Sequence, residues 1–193
     1  TNTASAALAA LLDAKRKGAI PGLHGRLGDL GAVDPRLDAA ISTSCPQLDN
    51  IVVDTMVDAQ KGVELLRKGQ LGVQSFLILE RQRHFLPKVA AGPPADLPDG
   101  CVRLFDAVKP ASDAARLAFY SVLRETVVAE TTQQARDLVF ARDSPFRRAV
   151  TLSGAVVEAG GTLTGGGQPR RGRMRDGDRA LLGEFSSQPG AYR

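Results

Sequence analysis

A strand–helix–strand order occurs twice along this chain, and it confines the fold to two related α/β halves. In the first copy, Leu48 to Asp54 reads as a strand around the β-branched run Ile51-Val52-Val53. Thr55 to Lys68 follows as an amphipathic helix, with Ala59, Val63 and Leu66 on one face and Gly69 as the left-handed residue past its end. Phe76-Leu77-Ile78-Leu79 is a short continuous apolar run, the pattern of a buried strand. The order returns with Thr126 to Ala129 as strand, Thr132 to Arg142 as helix and Ala149 to Leu152 as strand. Matching Ile51-Val52-Val53 to Thr126-Val127-Val128 sets an offset of 75 residues, and element order is kept far better than residue identity.

The remaining segments dress this frame. Ser5 to Lys17 reads as a helix with Leu8, Leu11 and Leu12 in register, a basic last turn and Gly18 as its stop. Gly22, Gly25, Gly28 and Gly31 recur at every third residue without the spacing of a dinucleotide loop, which suggests a plain turn-rich stretch. Pro35 to Thr43 is a short helix capped by Asp34, and Ala111 to Leu123 is a longer one. Pro87 to Gly100 holds four prolines and reads as an internal linker or surface loop.

Composition narrows the function. With 193 residues the chain has room for one core, or for two small subdomains that share one. No apolar run approaches the roughly 20 residues of a membrane span, so no membrane partner is expected. The opening Thr1-Asn2-Thr3-Ala4 has no signal-peptide character and reads as the cut end of something longer. Two cysteines build no disulfide framework, which suits a reducing compartment. Arginines outnumber lysines 19 to 6 at a net charge of +4, a bias suited to phosphate or carboxylate partners. Aromatic residues are only 5% with no Trp, too few for a base-stacking platform.

No catalytic constellation emerges. His24 and His84 stand apart, and neither a metal site nor any other cofactor is expected. Cys45 beside Ser42, Thr43 and Ser44 lacks a nucleophile elbow and reads as a structural thiol. Asp49, Asp54 and Asp58 read as caps and turns rather than an acid–base pair. Gly165-Gly166-Gly167 has no following Lys-Ser or Lys-Thr, so it is no P-loop. A small-molecule substrate is not expected.

Residues 151–167 carry the strongest signal. Six glycines, Gly154, Gly160, Gly161, Gly165, Gly166 and Gly167, alternate with Val156, Val157 and Leu163 on what should be a strand edge. Glycine weakens a strand, and a flexible linker has no use for the valines. An edge covered by a partner's backbone explains both.

This spacing resembles the glycine signature of hinge domains of the SMC (structural maintenance of chromosomes) family. Similar segments run through most of the chain, including residues 20–31, 48–55, 103–106 and 119–128. Gly25-Arg26-Leu27-Gly28-Asp29-Leu30 and Gly172-Arg173-Met174 look most like the larger SMC subunit of eukaryotic condensin. The resemblance implies the α/β (α+β) hinge fold, two pseudo-repeated subdomains with glycine-rich edge strands. Its implied layout is the end of an incoming coiled coil at 1–18, subdomain I at 19–86, a linker at 87–100, subdomain II at 101–167, and a basic tail at 168–193 leading to the returning coiled coil. Gly177, Gly183, Pro189 and Gly190 interrupt the heptads expected of that tail.

The resemblance further implies a non-catalytic dimerisation module, with ATP-binding heads elsewhere in the full-length protein. Its partner would be the hinge of the other condensin SMC subunit, at chromosomes in the nucleus during mitotic condensation. Non-specific DNA contact would fall to the arginine clusters: Arg67 and Lys68, Arg81 and Arg83, Arg147 and Arg148, and Arg170, Arg171 and Arg173. The alternative is a nucleic-acid-binding module in which dimerisation is incidental.

Overall fold

The computed structural model describes residues 2–174. The elements in chain order are α1 (Asn2–Arg16), β1 (Leu23–Arg26), β2 (Gly31–Ala32), α2 (Asp38–Ser44), β3 (Ile51–Val53), α3 (Met56–Lys68), β4 (Phe76–Ile78), α4 (Leu86–Ala90), β5 (Val102–Arg103), α5 (Leu104–Ala107), β6 (Lys109–Pro110), α6 (Asp113–Leu123), β7 (Val127–Ala129), α7 (Thr132–Phe140), β8 (Arg148–Thr151), β9 (Val156–Glu158) and β10 (Thr162–Thr164). They form a mixed α/β fold.

The repeat is real and extends further than the sequence suggested. In the first half β3 lies between antiparallel β1 and parallel β4. In the second, β7 lies between antiparallel β5 and parallel β8. The helix caps fix the true offset. Thr55 caps α3 and Thr131 caps α7, each accepting from the backbone amide three residues on, so the halves are 76 positions apart rather than 75. Thr126 therefore matches Asn50, and their carbonyls accept from Leu104 and Leu27 in turn, at 2.9 Å each. Asp58 completes a capping box with Thr55, as its reading as a cap requires.

Each central strand is apolar throughout because both of its faces are covered. Ile51 and Val53 face a cluster under α1 and α3, whereas Val52 faces the opposite way. Val127 and Ala129 likewise face α7, and Val128 turns inward. The inward residues of both halves meet in one core with Ile41 of α2 and with Leu117, Phe119 and Leu123 of α6. A two-stranded ladder joins the halves directly, with Gly31 opposite Pro110 and Ala32 opposite Lys109.

Several local expectations need correction. Gly69 sits at φ −82°, and Gln70 is the left-handed residue at φ +52°. The amides of Gln70 and Leu71 bond back to the carbonyls of Arg67 and Leu66, which makes Gln70 the C′ residue of a Schellman cap. Val63 is half exposed at 52%, and its expected place on the buried face falls to Gly62, over which the Phe76 ring packs. The glycines at 25, 28 and 31 are more than turns. Gly25 (φ +140°) makes a bulge in β1, Gly28 touches the backbone of Arg173, and a Cβ on Gly31 would come within 2.6 Å of the Phe119 ring. Pro87 opens α4, so the 87–100 segment begins as helix and only then becomes loop. Pro46–Asp49 is a 3-10 turn, which trims the expected 48–54 strand to three residues.

Phe119 is fully buried in the core that both halves share. Replacing it with Ala should cost about 3–5 kcal/mol, read as a lower urea midpoint. The two halves should lose structure in a single transition. A separate, unshifted transition for one half would contradict a common core.

Candidate functional site

The glycine-rich edge is a β-hairpin. β9 pairs with β8 on one side and with β10 on the other, and β10 ends the five-stranded sheet with its outer edge unpaired among the described residues. All three residues of β10 are exposed, Leu163 at 58%. Gly161 (φ +93°) is needed for the hairpin turn, where its amide bonds to Glu158. Gly160 and Gly167 are different. Neither has a positive φ, and a Cβ on either would meet nothing within 4 Å. Their lack of a side chain serves no contact among the described residues.

The other candidate glycines divide. Gly166 (φ +88°) faces open space but needs its conformation, and a Cβ on Gly165 would come within 3.3 Å of the Cβ of Ala155. Gly154 (φ +89°) is buried in the β8–β9 turn against Thr43 and Pro169 of the same chain. It is set apart from the open edge.

A second open edge lies on β4, whose only strand partner among the described residues is β3. Beside it, Met56, Ala59, Val63 and Phe76 line a groove of about 370 Å³. The repeat gives this edge meaning. Val139 of α7 is the counterpart of Val63, and it is buried in a cluster with Val157 of β9. The second half carries its own covering strand, and the first half has none among the described residues.

Two arginine corners went unrecognised in the sequence. Arg26 bonds Asp29 (2.7 Å) and Asp49 (3.1 Å), and Arg103 bonds Asp106 (2.8 Å) and Glu125 (3.0 Å). The signal was there as Arg-Leu-x-Asp at 26–29 and again at 103–106. Arg103 is almost wholly buried, and Nη2 also donates to the Gly92 carbonyl at 2.9 Å, which anchors the proline-rich loop. Burial pushes the Glu125 carboxyl up, but the Tyr120 hydroxyl and the Arg103 guanidinium outweigh it and hold it below its ordinary 4.5. Burial and the bond to Glu125 push the Tyr120 hydroxyl up to about 12.

The predicted basic residues sit on several elements. Arg67 and Lys68 lie exposed in the last turn of α3, with Lys68 paired to Glu64 at 2.8 Å. Arg81 and Arg83 are exposed in the turns after β4, and Arg147, Arg170 and Arg171 are exposed near the C-terminal strands. Arg148 and Arg173 are bound within the fold. Arg148 pairs with Glu158 (3.1 Å) and donates to the Ser44 carbonyl (2.7 Å), and Arg173 pairs with Asp49 at 2.6 Å. Arg173 helps to dock the outgoing segment, whose Met174 enters the shared core.

The remaining candidates have structural partners. Burial pushes the Cys45 thiol up to about 11, away from nucleophilic character. Asp54 meets His24 at 2.7 Å, a contact the sequence reading did not anticipate. Among the described residues no group of three His, Cys, Asp or Glu side chains is placed to hold a metal ion, and no helix is long and apolar enough to cross a membrane.

Residues 20–139 match the family model of the SMC proteins flexible hinge domain. The chain belongs to the SMC hinge family. Similar proteins are the structural maintenance of chromosomes protein 4 of Saccharomyces cerevisiae, 45% identical over 72% of this chain, and that of Xenopus laevis, 44% identical over 86%. The hinge spans only 9% and 13% of those relatives. Among solved structures, the Geobacillus stearothermophilus SMC hinge domain, crystallised as an asymmetric dimer, superposes with a TM-score of 0.64 at 25% identity. That match covers 90% of this chain and 69% of the other.

The arginine corner gives the hinge a testable weak point. Arg103→Ala strands Asp106 and Glu125 and should destabilise by about 3–5 kcal/mol in urea melts. The acid limb should follow Glu125. A carboxyl held low in the folded state adds stability above its unfolded value near 4.5 and loses it as pH falls through the lower folded value. Glu125→Gln should flatten the loss of thermal midpoint below that pH. An unchanged acid limb would mean that Glu125 contributes nothing to it.

Proposed function

We propose that this hinge is the dimerisation module of the larger condensin SMC subunit, pairing with the hinge of the partner SMC subunit at chromosomes in the nucleus. Mitotic chromosome condensation and organisation is the process it would serve, and the ATP-binding heads would lie elsewhere in the full-length protein. The observation that carries the reading is the pair of open edges. Among the described residues β10 offers an unpaired backbone flanked by glycines with no partner of their own, and β4 lacks the covering strand that its counterpart β8 has. An antiparallel strand against β4 would bury Val63 as β9 buries Val139. The relatives named structural maintenance of chromosomes protein 4, and the hinge solved as a dimer, support the same assignment.

Mixed with the partner hinge, the chain should form a one-to-one complex burying about 1,600 Å² in total. Light scattering on the eluted mixture measures it. Gly160→Val and Gly167→Val separate the interface from the fold, because a Cβ on either meets nothing within 4 Å among the described residues. Both variants should keep the wild-type urea midpoint and lose one of the two edge contacts, leaving a weakened, half-closed complex with the partner. Intact complexes from both would remove the β10 edge from the interface.

Auxiliary contact with DNA completes the proposal, through exposed arginines and phosphate alone. The logarithm of affinity should fall linearly with the logarithm of salt, with no sequence preference. Arg147→Ala and Arg171→Ala should each lower that slope by about one. A salt-independent affinity would refute a phosphate contact. If DNA binds while the partner hinge does not, the chain is primarily a nucleic-acid module.

A further inference from the structure

Between α4, the C-terminal end of α6 and the segment leading into β8 lies a groove of about 550 Å³. Its walls carry His84, Lys88, Arg124, Arg147 and Arg148 against one carboxylate, Glu125. That carboxylate is already engaged. The Tyr120 hydroxyl donates to Oε1 at 2.6 Å, and Arg103 Nη1 donates to both oxygens at 3.2 and 3.0 Å. Arg148 is likewise held by Glu158 and Ser44. Lys88, Arg124 and Arg147 are exposed, and no carboxylate stands within ion-pair distance of them among the described residues.

Arg124 is the informative member. It ends α6 at φ +50° and ψ −129°, a conformation that glycine takes freely and a side chain resists. Its Nε donates to the Ser121 carbonyl at 3.1 Å, and its guanidinium carbon lies 4.2 Å from the centre of the Phe85 ring. The backbone is thus strained to hold a cation at a groove that already has two others. A purely structural helix end would be better served by glycine.

We propose that this groove binds phosphate groups, taken one or two at a time from a phosphate chain, through Lys88, Arg124 and Arg147. The inference deepens the DNA contact proposed above and rests on it only for the identity of the chain. No base is recognised: the Phe85 ring is covered by Arg124 and flanked by His84 and Tyr120, so it offers no free stacking face. Two sources can present this chemistry, a nucleic-acid backbone or a free polyphosphate.

Fluorescence anisotropy of the 193-residue chain at low salt separates them, using a labelled abasic deoxyribose-phosphate strand and inorganic tripolyphosphate as probes. The abasic strand should bind as well as an ordinary single strand, and tripolyphosphate should displace it. Lys88→Ala with Arg147→Ala should weaken binding about tenfold, while Arg36→Ala, outside the groove, should change it by less than about twofold. Arg124→Gly should also weaken binding while keeping or raising the thermal midpoint, because it relieves the strain. A fall in midpoint with binding unchanged would make Arg124 a structural residue and overturn the site. If DNA binds but the groove variants do not weaken it, the site is overturned and the DNA contact stands. If only tripolyphosphate binds, and the groove variants abolish it, the site stands and the DNA reading falls. Failure of both probes to bind overturns both.

Discussion

Three strands of three or four residues cannot make a stable sheet alone, and that constraint organises the molecule. Each half has one apolar strand with two faces to cover. Its own helices cover the outer face, α1 and α3 in one half and α7 in the other. The inner faces are covered in common, with Val52 and Val128 meeting the residues of α2 and α6. The halves therefore share a core rather than touching as finished units. The β2–β6 ladder and the close seat of Gly31 on Phe119 follow from that sharing.

The arginine corners solve a problem created by the same economy. The strands are so short that the ends of the ladder lie close to the core, and the two guanidiniums there are largely shielded from water while their carboxylate partners stay partly exposed. Arg26 and Arg103 fill the equivalent position in the two halves and tie the first antiparallel strand to the start of the central one. Arg103 pays the greater desolvation cost, being 2% exposed, and it meets that cost with two carboxylates and a carbonyl. Arg26 leaves its second carboxylate partly free, and Asp49 uses its other oxygen to hold Arg173. The first corner thus docks the outgoing segment, while the second anchors the proline-rich loop.

What the sequence revealed and what it hid follow from the range of the forces involved. Caps and periodicity are local, so Asp58 and Asp34 declared their roles and the strand–helix–strand order was legible twice. The hinge family was legible too, from glycine spacing. The offset was misjudged by one because β-branched runs align almost equally well one residue apart, whereas a cap has only one register. Gly62 was missed and Gly31 misread because their reason is a ring contributed from elsewhere in the chain. The split among the basic residues had the same cause. Nothing near Arg148 or Arg173 in sequence announces Glu158, Ser44 or Asp49 as partners. Repetition of Arg-Leu-x-Asp was visible, but only the strand register, which sets Arg26 opposite Ile51 and Arg103 opposite Val127, gives it significance.

The two halves differ where it matters for assembly. The second carries β9 and β10 after its parallel strand, and the first passes instead through 3-10 turns into α4. Each chain therefore has one edge with a surplus strand and one edge with a deficit. Had the halves been equal, both edges would be alike, and pairing through them would have no preferred arrangement. With one of each, a contact between β10 of one hinge and β4 of another is heterologous and could propagate as a filament. A two-fold arrangement closes it instead, since the second β10 meets the second β4 and neither of these two edges is left open. On the proposed reading, the asymmetry within one chain is what makes an assembly of two complete, and related but distinct partner hinges can satisfy it with a pseudo-two-fold. A variant that blocks one edge leaves the other open and should give half-closed complexes rather than none, which distinguishes a ring of two contacts from a single shared surface.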